Sequence, residues 1–253
     1  MKKKIIRIAN ISGFYGDRLS AAKEMVEVGN IDYITGDYLA ELTMAILYKS
    51  KIKNPKTGYA VTFLKQMNDV MAECLNKKIR IVANAGGMNP KSLAKEISKL
   101  AKKLKINPKI ASIEGDDLTD KIDELNSKGE NFKHLDKPVK LLENKYKPLS
   151  ANVYLGCWGI VEALKDGADI VITGRVADTS LTMGPAAYHF KWKKNDWNKL
   201  SGAAIAGHII ECSGQATGGN YSNFEEIPSF KNIGFPIAEI FNNGESIITK
   251  NKN

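Results

Sequence analysis

Short apolar runs alternate with amphipathic stretches along most of this chain. Lys4 to Ala9 reads as a strand, followed by a helix to about Val28 that Asp17 or Ser20 can cap and Gly29 stops. Ile31 to Thr35 is a second strand. In 38 to 48 the apolar positions Leu39, Leu42, Ile46 and Leu47 form a helical stripe. A polar loop from Lys49 to Tyr59 leads to a helix over Ala60 to Leu75, whose inner face carries Phe63, Met67, Val70 and Met71. Ile79 to Ala83 and Ile110 to Ile113 are strands on either side of a Lys-rich helix from Ser92 to Leu104. The stretch 118 to 148 is the most polar of the chain. Ala151 to Leu155 and Asp169 to Thr173 are expected strands around a short helix, Ile160 to Lys165. Helices over 178 to 190 and Asp196 to His208 follow, then short β segments around Gly234 and Pro236. Strands alternating with helices predict an α/β protein with a mostly parallel, doubly wound sheet.

One element occurs twice. Ala9-Asn10 leads to a Gly13-x-x-Gly16 turn, an amphipathic run, Asp32-Tyr33-Ile34 and Thr35-Gly36-Asp37. Ala151-Asn152 leads to Gly156-x-x-Gly159, a second such run, Asp169-Ile170-Val171 and Thr173-Gly174-Arg175. Leu42-Thr43-Met44 and Leu181-Thr182-Met183 extend the match. The expectation is one domain over 1–253, built from two related βαβ halves with a pseudo-repeat at 5–48 and 149–187.

Composition alters this picture little. At 253 residues with 43% hydrophobic and 26% charged residues the chain can bury a sizeable core. The formal charge of +9 raises nucleic acid as a partner. However, the basic residues are almost all Lys, spread along helical faces and not interleaved with aromatics, so no nucleic-acid partner is expected. Arg occurs only at 7, 18, 80 and 175, and two of these fall in the repeated element. Cys74, Cys157 and Cys212 show neither pairing nor metal-ligand spacing, which fits a reducing compartment. No apolar run reaches a membrane span or a signal peptide, and a cytoplasmic protein without a membrane partner is expected.

The chemistry gathers where strands end. In open α/β sheets the ligand crevice lies at the carboxyl ends of the strands, so Asn10, Asp37, Asn84, Glu114, Asn152 and Arg175 are expected to converge. Asp37 and Glu41 stand four apart at a helix start, as an acid–base pair or as helix-dipole partners. Arg175, with Asp178 beside it, either holds an anionic group or makes a structural ion pair. Together with Arg18, the turns at Gly13, Gly16, Gly86, Gly87, Gly156 and Gly159 either present N–H groups to an anion or allow close packing. Glu114, Asp116 and Asp117 are candidate metal ligands or a solvated loop. Asn10, Asn84 and Asn152 either stabilise turns or polarise a carbonyl. His208, Glu211 and Cys212 contain a conceivable Cys–His pair, although a buried thiol is the commoner outcome.

These stretches also carry a resemblance. IANISGFYGDR (8–18), ITGDYLAELTM (34–44), RIVANAGGMNP (80–90), IEGDDL (113–118), ANVYLGCWGIVE (151–162), ITGRVADTSLTMGPAA (172–187) and GHIIECSGQATGGNY (207–221) resemble the AtuA-like family of acyclic terpene utilisation. The resemblance implies a catabolic enzyme acting on a branched acyl-CoA or a related acid, through a hydratase, lyase or acyl-transfer step. A CoA thioester is then a candidate substrate, and the cofactor is left unknown. The alternative is a non-catalytic ligand-binding or assembly subunit. Family members continue well past Phe235 to Glu239, so a missing C-terminal part, a C-terminal partner chain or a homo-oligomer is also expected.

Overall fold

The structure, a computed structural model, describes residues 4–28, 30–143 and 148–250. The expected helix stop at Gly29 lies outside them. In chain order the elements are β1 (Ile5–Asn10), α1 (Ala21–Val28), β2 (Tyr33–Gly36), α2 (Glu41–Lys53), α3 (Val61–Asn76), β3 (Arg80–Ala83), α4 (Pro90–Lys103), β4 (Ile110–Ile113), α5 (Ile122–Ser127), α6 (Trp158–Lys165), β5 (Ile170–Thr173), α7 (Ser180–Phe190), α8 (Trp197–Glu211), β6 (Pro236–Phe241) and β7 (Ser246–Lys250).

The strands form one sheet in the order β4-β5-β3-β2-β1-β6-β7. The pairs among β1 to β5 are parallel, whereas β6 runs antiparallel to β1, and β7 to β6. Alternate strand residues face opposite layers, as the strand period requires. Ile34, Ile81, Ala83, Ile170 and Ile172 pack against α1, α3 and α4. Tyr33, Val82 and Val171 pack against α6, α7 and α8. Continuous apolar strands such as Ile170-Val171-Ile172 are the pattern of a sheet covered on both faces.

The layering sends neighbouring loops to opposite faces. β3 leads into α4 on one face of the sheet, while its neighbour β5 leads into α7 on the other. This is the arrangement in which open α/β sheets place a ligand crevice at the carboxyl ends of the strands. Gly86 lets the two loops meet. Its N–H bonds the Thr173 carbonyl at 3.1 Å, and a Cβ there would stand 2.5 Å from that oxygen and 2.8 Å from Pro90 Cα. α4 starts at Pro90, earlier than Ser92, because Asn89 caps it by accepting from the Ser92 N–H and Pro90 at the first position needs no hydrogen-bond partner.

The expected strand Ala151–Leu155 does not form. Its residues make only isolated bridges, Asn152 to Asp117 and Leu155 to Val176. In the first copy β1 lies beside β2. In the second, both edges of β5 are taken by β3 and β4, so 151–155 has no strand edge left to join. The expected terminal β segments are the β6–β7 hairpin.

Candidate active site

Asp37 follows β2, Asn84 follows β3 and Arg175 follows β5, so adjacent strands deliver all three to one rim. Asp37 is 5% exposed. Its Oδ1 accepts from the Leu39 N–H at 3.1 Å and from Asn84 Nδ2 at 2.7 Å, while Asn84 Oδ1 accepts from the Tyr38 N–H at 2.8 Å. Asn84 is thus a brace that fixes the Asp37 carboxylate.

The neighbours of Asp37 are acidic. Asp37, Asp178 and Glu211 each offer an oxygen, and these atoms lie within 4.8 Å of one another. Glu211 Oε2 is buried without a hydrogen-bond partner. Burial first, and then the negative charge of Asp178, push Asp37 from an ordinary 3.8 up to about 7. The same two causes in the same order push Glu211 up to about 7. Three carboxylates this close cannot all ionise without a compensating charge, so near neutrality the group holds a proton or takes up a cation.

Arg175 supplies part of the compensation. Its guanidinium lies 3.3 Å from Asp178 Oδ1 and 3.7 Å from Glu41 Oε1, and Nη1 donates to the Leu39 carbonyl at 3.1 Å. The Tyr154 ring covers it at 4.3 Å, and the Tyr154 hydroxyl donates to Glu41 at 2.6 Å. Burial opposes the charge on Arg175, but Tyr154, Asp178 and Asp37 outweigh it and raise its pKa.

Glu41 does not share a helix face with Asp37. Asp37 lies in the extended segment before α2, whereas Glu41 opens that helix with its side chain 81% exposed. Turning the Asp37 carboxylate back onto the Leu39 N–H keeps 37–40 out of the helix and separates the two acids. Asp178 stands where expected, beside Arg175.

Most other expected ligand-facing residues are structural. Asn10 Nδ2 donates to the carbonyls of Ile210 and Glu211, which ties the end of α8 to the end of β1. Gly13 allows that approach, since a Cβ would fall 2.8 Å from both Glu211 O and Cys212 C. Its N–H donates to Asp17, which also accepts from Ser213 Oγ at 2.6 Å. Arg18 is spent on Glu24 and the carbonyls of Lys231 and Ile233, with Phe235 under its guanidinium. Gly87 holds a positive φ of 50°. Gly159 packs against Ile113, and a Cβ at Gly16 or Gly156 would meet no backbone neighbour.

Glu114, Asp116 and Asp117 do not converge as metal ligands. Glu114 pairs with Lys91 at 2.5 Å, and Asp117 accepts from the Thr119 hydroxyl at 2.6 Å. Asp116 turns inward, accepting from the Arg175 N–H at 2.8 Å and Asn152 Nδ2 at 2.9 Å. Among the described residues the acids with the geometry for a divalent ion are Asp37, Asp178 and Glu211. Cys212 is exposed and not the buried thiol expected. Burial, followed by Glu211, Asp37 and Asp178, raises its pKa, the reverse of what a reactive thiol needs.

Glu211 is the residue whose place the sequence conceals. Its signal is the charge-free run from Leu200 to Ile210, unusual in a chain with 26% charged residues, which ends at this one carboxylate.

The profile of the acyclic terpene utilisation family protein AtuA matches residues 6–253. The chain belongs to the AtuA family. Neither the curated proteins nor the solved structures gave a match. Within this AtuA-family chain the carboxylate group and Arg175 are contributed by the matched region, at the carboxyl ends of the parallel strands. No helix among the described residues is long and apolar enough to cross a membrane.

Proposed function

We propose that this AtuA-family chain is an acid–base enzyme of carbon catabolism acting in the cytoplasm on a branched acyl-CoA or a related acid, by a hydration or elimination step. The observation that carries the reading is the Asp37–Asp178–Glu211 group, two of whose carboxyls titrate near 7. A general acid or base works best with a pKa close to the working pH. Asp37, braced by Asn84, takes or returns a proton beside the substrate carbonyl. Arg175 holds the carboxylate or thioester oxygen, with the exposed Glu41 giving way to the incoming group.

Thermal unfolding against CoA, acyl-CoA esters, branched free acids and Mg2+ tests this. Binding to the native state raises the midpoint by mass action. The expected result is a rise with an acyl-CoA or an acid that disappears in Arg175→Gln. A cooperative transition that no compound moves would overturn the reading in favour of an assembly subunit.

A further inference from the structure

The two ends of the Arg175 guanidinium are held differently. The side chain as a whole is 7% exposed. Nη1 donates to the Leu39 carbonyl at 3.1 Å and lies 3.3 Å from Asp178 Oδ1. Nη2 meets Glu41 Oε1 at 3.7 Å, longer than a hydrogen bond. That same oxygen accepts from the Tyr154 hydroxyl at 2.6 Å, and the centre of the Tyr154 ring lies 4.3 Å from Arg175 Cζ. Tyr154 is brought here because the next residue is tied to Arg175 itself, the Leu155 N–H bonding the Arg175 carbonyl at 3.2 Å. One atom, Glu41 Oε1, therefore marks a point that a buried cation and a hydroxyl donor address together.

Glu41 is a weakly held occupant of that point. Its side chain is 81% exposed, and an ion pair made by so exposed a carboxylate contributes little, because water competes for it and a mobile side chain has to be ordered. The Tyr154 hydroxyl, and then the N–H of Glu41 itself, hold the Glu41 carboxyl below the usual carboxylate range, so it is anionic at neutral pH. α2 also begins here, with no side-chain cap from Ala40, which leaves the positive end of the helix beside the same carboxylate. A buried arginine, a hydroxyl and a helix start thus form an anion position that the chain fills with its own acid. A ligand carboxylate taking the place of Glu41 leaves the local charge unchanged. A thioester carbonyl brings no charge and leaves Nη2 without an anion.

We infer that Arg175 Nη2 and the Tyr154 hydroxyl together bind the carboxylate of a free acid, and that Glu41 holds this position until the acid displaces it. The inference rests on the proposed acid–base reading and narrows its substrate from an acyl-CoA or an acid to the acid. Tyr154 becomes a substrate-binding residue, and Glu41 a built-in competitor. An acid bound here lies next to the proton-holding group, because Asp178 is paired with the other end of the same guanidinium.

The test is calorimetric titration of 3-methylbutanoate, its amide and its CoA thioester into wild type, Glu41→Gln, Tyr154→Phe and Arg175→Gln. Glu41 and Tyr154 are exposed, so the fold tolerates both of these substitutions. Wild type is expected to bind the acid and not the amide of the same shape. Glu41→Gln should tighten the acid by about two- to fivefold, the worth of an exposed ion pair. Tyr154→Phe keeps the ring and loses the donor, and should weaken the acid by about three- to tenfold. The chain has arginine only at 7, 18, 80 and 175, so phenylglyoxal adducts mapped by peptide mass give a second readout with three internal references. Arg175 should react several times faster in Glu41→Gln than in wild type, and the acid should slow it. Acid affinity and Arg175 reactivity that neither exposed variant moves overturn the inference, and if Arg175→Gln alone abolishes binding the acid–base reading stands without it. Failure of the acid to bind even Glu41→Gln also overturns the inference. Thioester binding that is lost in Arg175→Gln would then preserve the acid–base reading, and its absence would take that reading down as well.

Discussion

Replacing Asp37 by Asn should stabilise the protein at alkaline pH, although it alters the residue at the centre of the site. The amide oxygen can accept the same two hydrogen bonds, from the Leu39 N–H and Asn84 Nδ2. The negative charge facing Asp178 and Glu211 is removed. The native pKa of Asp37, about 7, lies above its ordinary 3.8. Between those values the native state binds a proton that the unfolded chain has already lost, so stability falls as pH rises through this window. Above about pH 7 the buried carboxylate is ionised and its full cost is present. At about 1.4 kcal/mol per tenfold change in proton affinity, the ceiling is about 4 kcal/mol. Sharing of the proton with Glu211 brings the expected gain to about 2–4 kcal/mol. For a chain of this size that raises the unfolding midpoint by roughly 5–15 °C at about pH 8, with little difference near pH 4. Calorimetry of both proteins across that range is the assay. An Asp37→Asn variant equal to or less stable than wild type at about pH 8 would refute the argument.

Three further outcomes are expected. Arg175→Lys should lose ligand-induced stabilisation even though the charge is kept, because an ammonium cannot hold the Leu39 carbonyl, Asp178 and an incoming anion in one plane; a midpoint shift equal to that of wild type would contradict this. Gly13→Ala should cost about 1–3 kcal/mol in chemical denaturation, since the added methyl meets the Glu211 and Cys212 backbone at 2.8 Å. It should also weaken ligand binding by displacing Glu211. Met71→Ala, in the core near the C-terminal end of α3, where the Cys74 carbonyl accepts from the Ile79 N–H just before β3 begins, should cost about 2–5 kcal/mol and leave ligand affinity unchanged.

The residues legible in the sequence are those whose position depends on their own strand. Asp37, Asn84 and Arg175 each follow an apolar strand, and a parallel sheet brings such ends together whatever the intervening helices do. Glu211 cannot be located this way, because it reaches the site through the Asn10 amide, 201 residues away in sequence. The failure of 151–155 to form a strand has the same character. Its composition suits a strand, but whether a strand edge is free depends on where β4 and β3 lie. The pairing of Asp37 with Glu41 fails because helical spacing does not apply to a residue that precedes the helix. Arg18 stands out in a Lys-rich chain, yet its guanidinium is used to fasten the segment 231–235.

The central claim is that Asp37, Asp178 and Glu211 act as one proton-holding group beside Arg175. It is tested most directly by the side-chain carboxyl 13C shift of Asp37, followed by NMR from about pH 4 to 9 in wild type and in Glu211→Gln. The account predicts a midpoint near 7 for Asp37 in the wild-type protein, moving downward when the neighbouring acid is neutralised. A single midpoint near 4, unmoved by Glu211→Gln, would contradict it.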